Sequence, residues 1–192
     1  VVKDAEETKS LVWFRNDLRI NDNLALNSAL SAPGKVIGFY CFNLSMFKMT
    51  NLGFPRIDKF RAKFLLETIE NLKEDLKRIN ITLIITIGDP VEELMRVISQ
   101  QKIKNIFFQK EWTQEEVEEE DKLKNEYNNI NFKSFYSQFL YDPNDLDINN
   151  VSNVFTNFRK HCEKKLNVKD LVECPKKLIE DNLLKDDYLT PS

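Results

Sequence analysis

The sequence predicts an α/β fold: a five-stranded parallel sheet of the Rossmann-like type with helices on both faces, which gives a three-layer αβα architecture. Two observations predict it. Short runs rich in β-branched and aromatic residues alternate along the chain with segments whose apolar residues recur at helical spacing. Helix-capping residues, glycine or proline stand between many of these segments. This alternation is typical of a parallel sheet with crossover helices, for which we expect the strand order 3-2-1-4-5.

The first two strands are predicted at residues 11–14 and 35–41, both dominated by apolar and aromatic side chains. Between them, the asparagine and aspartate residues at 21–23 can cap a helix that begins at Leu24. The strands therefore frame a first βαβ unit, whose crossover should be right-handed.

The second helix is predicted over residues 57–79, and the third strand over residues 82–87. Asp89 and Pro90 then provide an N-cap and a first helical residue, so that the third helix begins there. The second helix should bury one broad apolar stripe, which consists of Ile57, Phe60, Phe64, Leu65, Ile69, Leu72, Leu76 and Ile79.

The fourth and fifth strands are predicted at residues 105–108 and 132–136. Thr113 and Glu116 have the spacing of a capping box, which would open a charged helix extending to about Tyr127. The acidic run in this helix is interpreted as a solvated face, because acidic residues favour a helix N-terminus and lysines follow at i,i+4 spacing.

Composition excludes several classes of protein. The net charge is −3, the wrong sign for a free-standing nucleic-acid-binding domain, and no apolar run is long enough for a membrane span. His161 is the only histidine, which excludes multi-histidine metal sites and catalytic triads. The three cysteines show no Cys-x-x-Cys spacing, and an intracellular, reducing compartment is expected.

The chain is expected to comprise a flexible N-terminal arm (residues 1–9), one α/β domain (10–140) and an interdomain linker with a short helix (141–192). The starting Val1 suggests processing or trimming.

The predicted strand order places strand 1 beside strand 4, and ligands of such sheets bind where the strand order reverses. The loops at residues 15–19 and 109–112 should therefore frame a crevice. With four glycines and no Gly-x-Gly-x-x-Gly or P-loop, the sequence lacks the usual cradle for a pyrophosphate or triphosphate. A dehydrogenase or an NTPase is thus disfavoured.

Four segments, in order, resemble the DNA photolyase and cryptochrome family, and three of them its DASH branch. The first is Trp-Phe-Arg-Asn-Asp-Leu-Arg with Asp-Asn-Leu-Ala-Leu, from residue 13 to residue 26. The others lie at residues 53–72, 109–117 and 154–160. The resemblance implies a light-harvesting antenna domain, whose chromophore passes excitation to FAD. In the family the FAD lies in a helical domain, which is expected to be absent from this chain, and DNA would be contacted only through the parent protein.

The resemblance also implies 5,10-methenyltetrahydrofolate as the antenna chromophore, and Glu111 has the position of the family's pterin-binding carboxylate. A carboxylate can accept the adjacent N–H groups of a pterin in a bidentate manner. Lys110 could meet a folate carboxylate, and Trp112 could stack on the ring. Four other residues are candidates for lining the crevice, although each also suits an ordinary loop role: Arg15, Asn16, Asp17 and Asn43.

Two alternatives remain open. One is an α/β interaction or signalling module of the same fold with no bound chromophore. The other is a small-nucleotide binder, which the lack of a glycine-rich phosphate loop disfavours.

Overall fold

A single parallel sheet organises the computed structural model, which describes residues 8–147, 149 and 151–184. The strands are β1 (Lys9–Trp13), β2 (Lys35–Asn43), β3 (Thr82–Gly88), β4 (Asn105–Gln109) and β5 (Asn131–Phe135). Their order across the sheet is β3-β2-β1-β4-β5, as predicted. β1 pairs with β2 on one side and with β4 on the other, so the order reverses beside β1.

Helices cover both faces of the sheet. The helices are α1 (Leu24–Leu30), α2 (Lys59–Arg78), α3 (Pro90–Gln101), α4 (Gln114–Glu126) and α5 (Phe155–Lys165). Apolar residues of α1 and α2 form one core with one face of the strands, and those of α3 and α4 form a second core with the other face. In β1, Leu11 and Trp13 belong to one core and Val12 to the other, as side-chain alternation requires.

Two of the three predicted helix caps are confirmed. The Asn23 side chain accepts from the Leu26 N–H, and that of Asp89 from the N–H groups of Val91 and Glu92. The capping box at Thr113 is wrong. The Thr113 hydroxyl donates to Glu116 Oε2 (2.8 Å), and no N–H of α4 bonds to it. The Thr113 hydroxyl is therefore oriented toward the Glu116 side chain and not toward the free N–H groups of the first turn.

The apolar stripe of α2 is only partly buried. Ile69, Leu72 and Leu76 are in the core, whereas Phe60 and Phe64 are 79% and 69% exposed. α2 begins after the loop that leaves β2, so its first turns stand beside the carboxyl ends of the strands and not over the sheet.

The segment after α5 returns to the domain. The Leu178 N–H donates to the Ile79 carbonyl (3.1 Å), and the Leu178 side chain packs against the core formed by α1 and α2. Asn182 is 5% exposed and bonds to the start of β2. Residues 1–7 of the predicted N-terminal arm and residues 185–192 of the predicted linker lie outside the described residues.

None of the described helices combines the length and the apolar character that crossing a membrane would require.

Candidate functional site

A cleft of about 880 Å³ opens at the carboxyl ends of β1 and β2. Its walls are the loop after β1, the turn after β2, the first half of α2 and the first turns of α4. This is where a doubly wound sheet positions ligands, because the helices that follow the neighbouring strands β1 and β4 pack on opposite faces of the sheet.

The deep part of the cleft is apolar and aromatic. Trp13, Phe14 and Tyr40 are at least nine-tenths buried, and Phe47 and Phe64 line the open side. Burial raises the pKa of Cys41, which also lines the cleft, to about 11, so its thiol is neutral at physiological pH. The cleft therefore offers flat apolar surfaces to a ring system.

Arg15 joins the loop after β1 to α4. Its guanidinium donates to Glu120 Oε1 (2.8 Å) and to Glu119 Oε2 (3.2 Å), and it lies 4.4 Å from the centre of the Trp13 ring. Arg15 and Glu120 side chains are 6% and 4% exposed. Burial raises the pKa of Glu119, and the charge of Arg15 opposes that rise. The interpretation of the acidic run as a solvated face is thus wrong for Glu120, since folding brings Arg15 against it.

A second arginine bridges the two walls of the cleft. Both Arg56 Nη atoms donate to the Glu115 carboxylate at the start of α4, with 2.6 Å between Nη2 and Oε1. Hydrogen bonding to Arg56 lowers the pKa of Glu115. This pair is exposed, so it orients the loop before α2 more than it stabilises the fold.

Glu111 follows β4 and is 8% exposed. Its Oε1 accepts from Asn16 Nδ2 and from Gln109 Nε2, both at 2.9 Å. Burial is the main cause that raises its pKa, and the hydrogen bonds from Gln109 and Asn16 oppose it. Glu111 does not itself line the cleft, but it is one hydrogen bond away from it through Asn16.

Three of the other predicted site residues line the cleft, and the fourth is buried. Arg15, Asn16 and Asn43 line the cleft, and the Asn43 side chain also accepts from the Ser45 N–H (2.9 Å). Asp17 is buried beneath the loop, where its carboxylate accepts from the Arg15 N–H and from Asn23 Nδ2, each at 3.1 Å. Burial raises the pKa of Asp17.

Lys110 and Trp112 face a different surface. Trp112 is 51% exposed and stacks on Tyr136, with 5.0 Å between ring centres. Lys110 Nζ lies 5.2 Å from the centre of the same tyrosine ring. Neither residue lines the cleft.

Sequence reasoning did not select Tyr40, Arg56 or Arg61, all of which line the cleft. A signal was present for the two arginines, since they lie within the second segment that resembles the photolyase family. Tyr40 carried no signal, because a tyrosine in a buried strand is ordinary core composition.

The buried carboxyl of Glu111 should make stability depend on pH. Because the folded state raises its pKa above the ordinary value of 4.5, folding favours the protonated form. Its stabilising contribution is present below that value and is lost as the pH rises through the folded-state pKa. As the pH rises from 4.5 through the folded-state pKa of Glu111, we expect the wild-type chain to lose stability relative to Glu111→Gln.

Urea unfolding of both chains between about pH 4 and pH 8 measures this difference. The Gln variant keeps an acceptor for Asn16 and Gln109, and Glu126→Gln, on an exposed end of α4, controls for loss of charge alone. A difference between wild type and Glu111→Gln that stays constant over the whole range would contradict the prediction.

The parallel order that reverses beside β1, and the aromatic cleft at that point, define a doubly wound α/β domain with an open cleft at the carboxyl ends of its strands. The sequence model of the family described as DNA photolyase matches residues 10–176, and the chain belongs to this family.

Among curated relatives, cryptochrome DASH of Synechocystis sp. is 32% identical over 186 residues, which cover 94% of this chain and 38% of the relative. Cryptochrome DASH of Gloeobacter violaceus is 34% identical, with 88% of this chain and 34% of the relative covered. The chain therefore spans little more than a third of the length of these relatives.

Solved structures of photolyase-family proteins have the same fold. The Synechocystis cryptochrome superposes with a TM-score of 0.86 at 30% identity, covering 96% of this chain and 41% of that one. An archaeal photolyase from Sulfolobus tokodaii, described as containing two FAD molecules, has a TM-score of 0.73 at 23% identity and covers 85% of this chain and 36% of its own. At 23% identity, the similarity to the archaeal photolyase shows a shared fold and nothing more.

Proposed function

We propose that this chain is the light-harvesting antenna domain of a cryptochrome DASH-like protein. The parent protein would use FAD for light-driven repair of cyclobutane pyrimidine dimers, or for blue-light reception. The chromophore would absorb light in this domain and pass the excitation to a flavin in a helical domain. Membership of the photolyase family and the aromatic cleft at the reversal of strand order support this proposal.

The observation that carries the proposal is the cleft itself. It combines flat apolar walls with polar groups at its rim, the combination that fixes a planar heterocycle in one orientation. We propose 5,10-methenyltetrahydrofolate as the chromophore, following the resemblance to the DASH branch. A flavin is a second candidate, because the Sulfolobus tokodaii photolyase is described with two FAD molecules and an implied novel light-harvesting cofactor.

Each candidate residue has a proposed role. Arg15, Asn16 and Asn43 contact the chromophore from the cleft walls, and Asp17 holds the loop that carries the first two. Glu111 acts through Asn16 and through its Oε2 atom, for which the described residues provide no hydrogen-bond donor.

Lys110 and Trp112 flank Glu111 in sequence but lie outside the cleft. We propose that they meet the part of a folate that extends beyond it. The Lys110 charge suits the glutamate carboxylates of folate, and an exposed face of Trp112 suits the aminobenzoyl ring.

We propose an intracellular, reducing compartment for the protein. Cys41, Cys162 and Cys174 are free thiols in the structure. Disulfides persist mainly in oxidising compartments, so free thiols suit a reducing one.

Absorption titration of the chain with methenyltetrahydrofolate tests the function. We expect a saturable red shift of the near-ultraviolet band, because transfer from water to an aromatic cleft changes the polarity around the ring. Glu111→Ala should weaken binding by about tenfold, the effect of losing a hydrogen bond to a charged group. Glu126→Ala, on the exposed end of α4, is the matched control.

The interaction-module alternative makes a different prediction. A chain that binds neither methenyltetrahydrofolate nor FAD at millimolar concentration, alone or with the helical domain attached, would favour an empty cleft and would contradict the antenna proposal.

A further inference from the structure

The side-chain amide of Asn16 lies between two carboxylates. Its Nδ2 donates to Glu111 Oε1 (2.9 Å) and to Glu116 Oε1 (3.2 Å). An amide nitrogen has two protons, so both are used. The carbonyl oxygen, Oδ1, can only accept, and no described residue donates to it. Asn16 is exposed and lines the cleft.

The two carboxylates are themselves held in place. Gln109 is 3% exposed and donates to Glu111 Oε1, while its own Oε1 accepts from the Ser137 hydroxyl (2.6 Å). The Thr113 hydroxyl donates to Glu116 Oε2 (2.8 Å). Turning the Asn16 amide over would place Oδ1 against Glu111 Oε1, which already accepts from Gln109, and against Glu116 Oε1, so that acceptors would face acceptors. The surroundings therefore fix Nδ2 toward the carboxylates and leave Oδ1 for a ligand.

We propose that Asn16 determines ligand specificity as a hydrogen-bond acceptor, and that Glu111 and Glu116 are the positioning residues that hold its carbonyl in that role. The matching ligand is a fused heterocycle with a lactam N–H, such as a pterin or an isoalloxazine. This inference rests on the proposed chromophore site and adds what the site recognises. It also gives the Thr113–Glu116 pair, which does not cap α4, a role in the site.

The chemistry predicts selection against ligands that have only acceptors on the edge facing Asn16. An N-methyl group in place of the lactam proton removes the donor and brings a methyl group against Oδ1. Oδ1, which the bound ligand covers, is then left unpaired, and this is the situation that produces strong discrimination.

Fluorescence titration of the 192-residue chain with matched pairs of heterocycles tests the proposal. The probes are pterin with 3-methylpterin, and riboflavin with 3-methylriboflavin. For at least one pair we expect the N–H member to bind about tenfold more tightly than the N-methyl member. In Asn16→Ala this ratio should fall to about one. Asn21→Ala, an exposed asparagine outside the cleft, should keep the wild-type ratio.

The positioning role has its own readout. Glu116→Ala and Glu111→Ala each remove one acceptor from Nδ2, so the amide is free to turn and the ratio should decrease, although both chains remain folded by circular dichroism. In the ¹⁵N-labelled chain, both side-chain protons of Asn16 should exchange with water more slowly than those of Asn21. This NMR measurement needs no ligand.

The outcomes separate the two proposals. Binding of both members of every pair with equal affinity would overturn the role of Asn16 and leave the antenna function standing. Rapid exchange of both Asn16 protons would overturn the positioning by Glu111 and Glu116. Absence of binding by every heterocycle would overturn the chromophore site and, with it, the specificity proposed here.

Discussion

Arg15→Met is expected to lower the free energy of unfolding by about 3 kcal/mol, since the buried Glu120 carboxylate loses its guanidinium partner at 2.8 Å and keeps the part-exposed Lys124 at 3.5 Å. The Arg15 side chain is 6% exposed and donates to Glu119 and Glu120. Methionine retains much of the volume over Trp13 but none of the charge. Urea unfolding followed by far-ultraviolet circular dichroism measures the effect.

Two comparisons isolate the charge. Arg19→Met, in the same loop but with a side chain 44% exposed, should change stability by less than about 0.5 kcal/mol. Adding Glu120→Gln to Arg15→Met should recover part of the loss, because it removes the buried charge that has lost its guanidinium partner. A loss below about 1 kcal/mol for Arg15→Met would show that the carboxylates of α4 do not need this partner.

Asn182→Ala is expected to destabilise the chain by about 3 kcal/mol, because several buried backbone groups lose their partner. Asn182 Oδ1 accepts from the Val36 N–H (2.8 Å), and Nδ2 donates to the carbonyls of Val36 (3.0 Å) and Asn80 (2.7 Å). Without the amide, the Val36 N–H at the start of β2 loses its acceptor, and the carbonyls of Val36 and of Asn80, which precedes β3, each lose a donor.

Equilibrium unfolding in urea again provides the measurement, and limited proteolysis adds a local one. Cleavage within residues 171–184 should become faster in the variant, since Asn182 anchors this segment to the sheet. Asn71→Ala, on an exposed position of α2, is the control. Unchanged stability would mean that the segment after α5 lies on the domain without supporting it.

Most of the fold could be predicted from sequence because its signals are local. The five strands and the helices between them follow from apolar spacing within a few residues, and the caps at Asn23 and Asp89 from neighbouring backbone N–H groups. The strand order followed from a general preference of such sheets, which the structure confirms. The prediction failed at Thr113, whose hydroxyl donates to the side chain of Glu116 and accepts from no N–H of α4.

The site was predictable only in outline. The loop after β1 was identified by its polar residues and its family resemblance, and Asn16 and Asn43 do line the cleft. The partners of these residues could not be deduced. Glu120 lies 105 residues beyond Arg15, and its charge suggested a solvated helix face until the sheet brought the two together.

The contacts of Asn182, at the amino-terminal end of β2, were equally impossible to deduce from sequence. In sequence it lies in a polar segment without periodic apolar residues, which suggests a linker. In the structure it is buried against a residue 146 positions earlier. No local pattern marks such a residue, because its hydrogen-bond partners are backbone groups and are the same for any sequence.

The sequence by itself therefore determined the class of fold, the order of its elements and the family, since these depend on spacing and short motifs. The tertiary structure decided which polar groups are buried, which carboxylate meets which amide, and where the cleft opens. Those features depend on how helices dock across the sheet, and docking brings together side chains that are about a hundred residues apart.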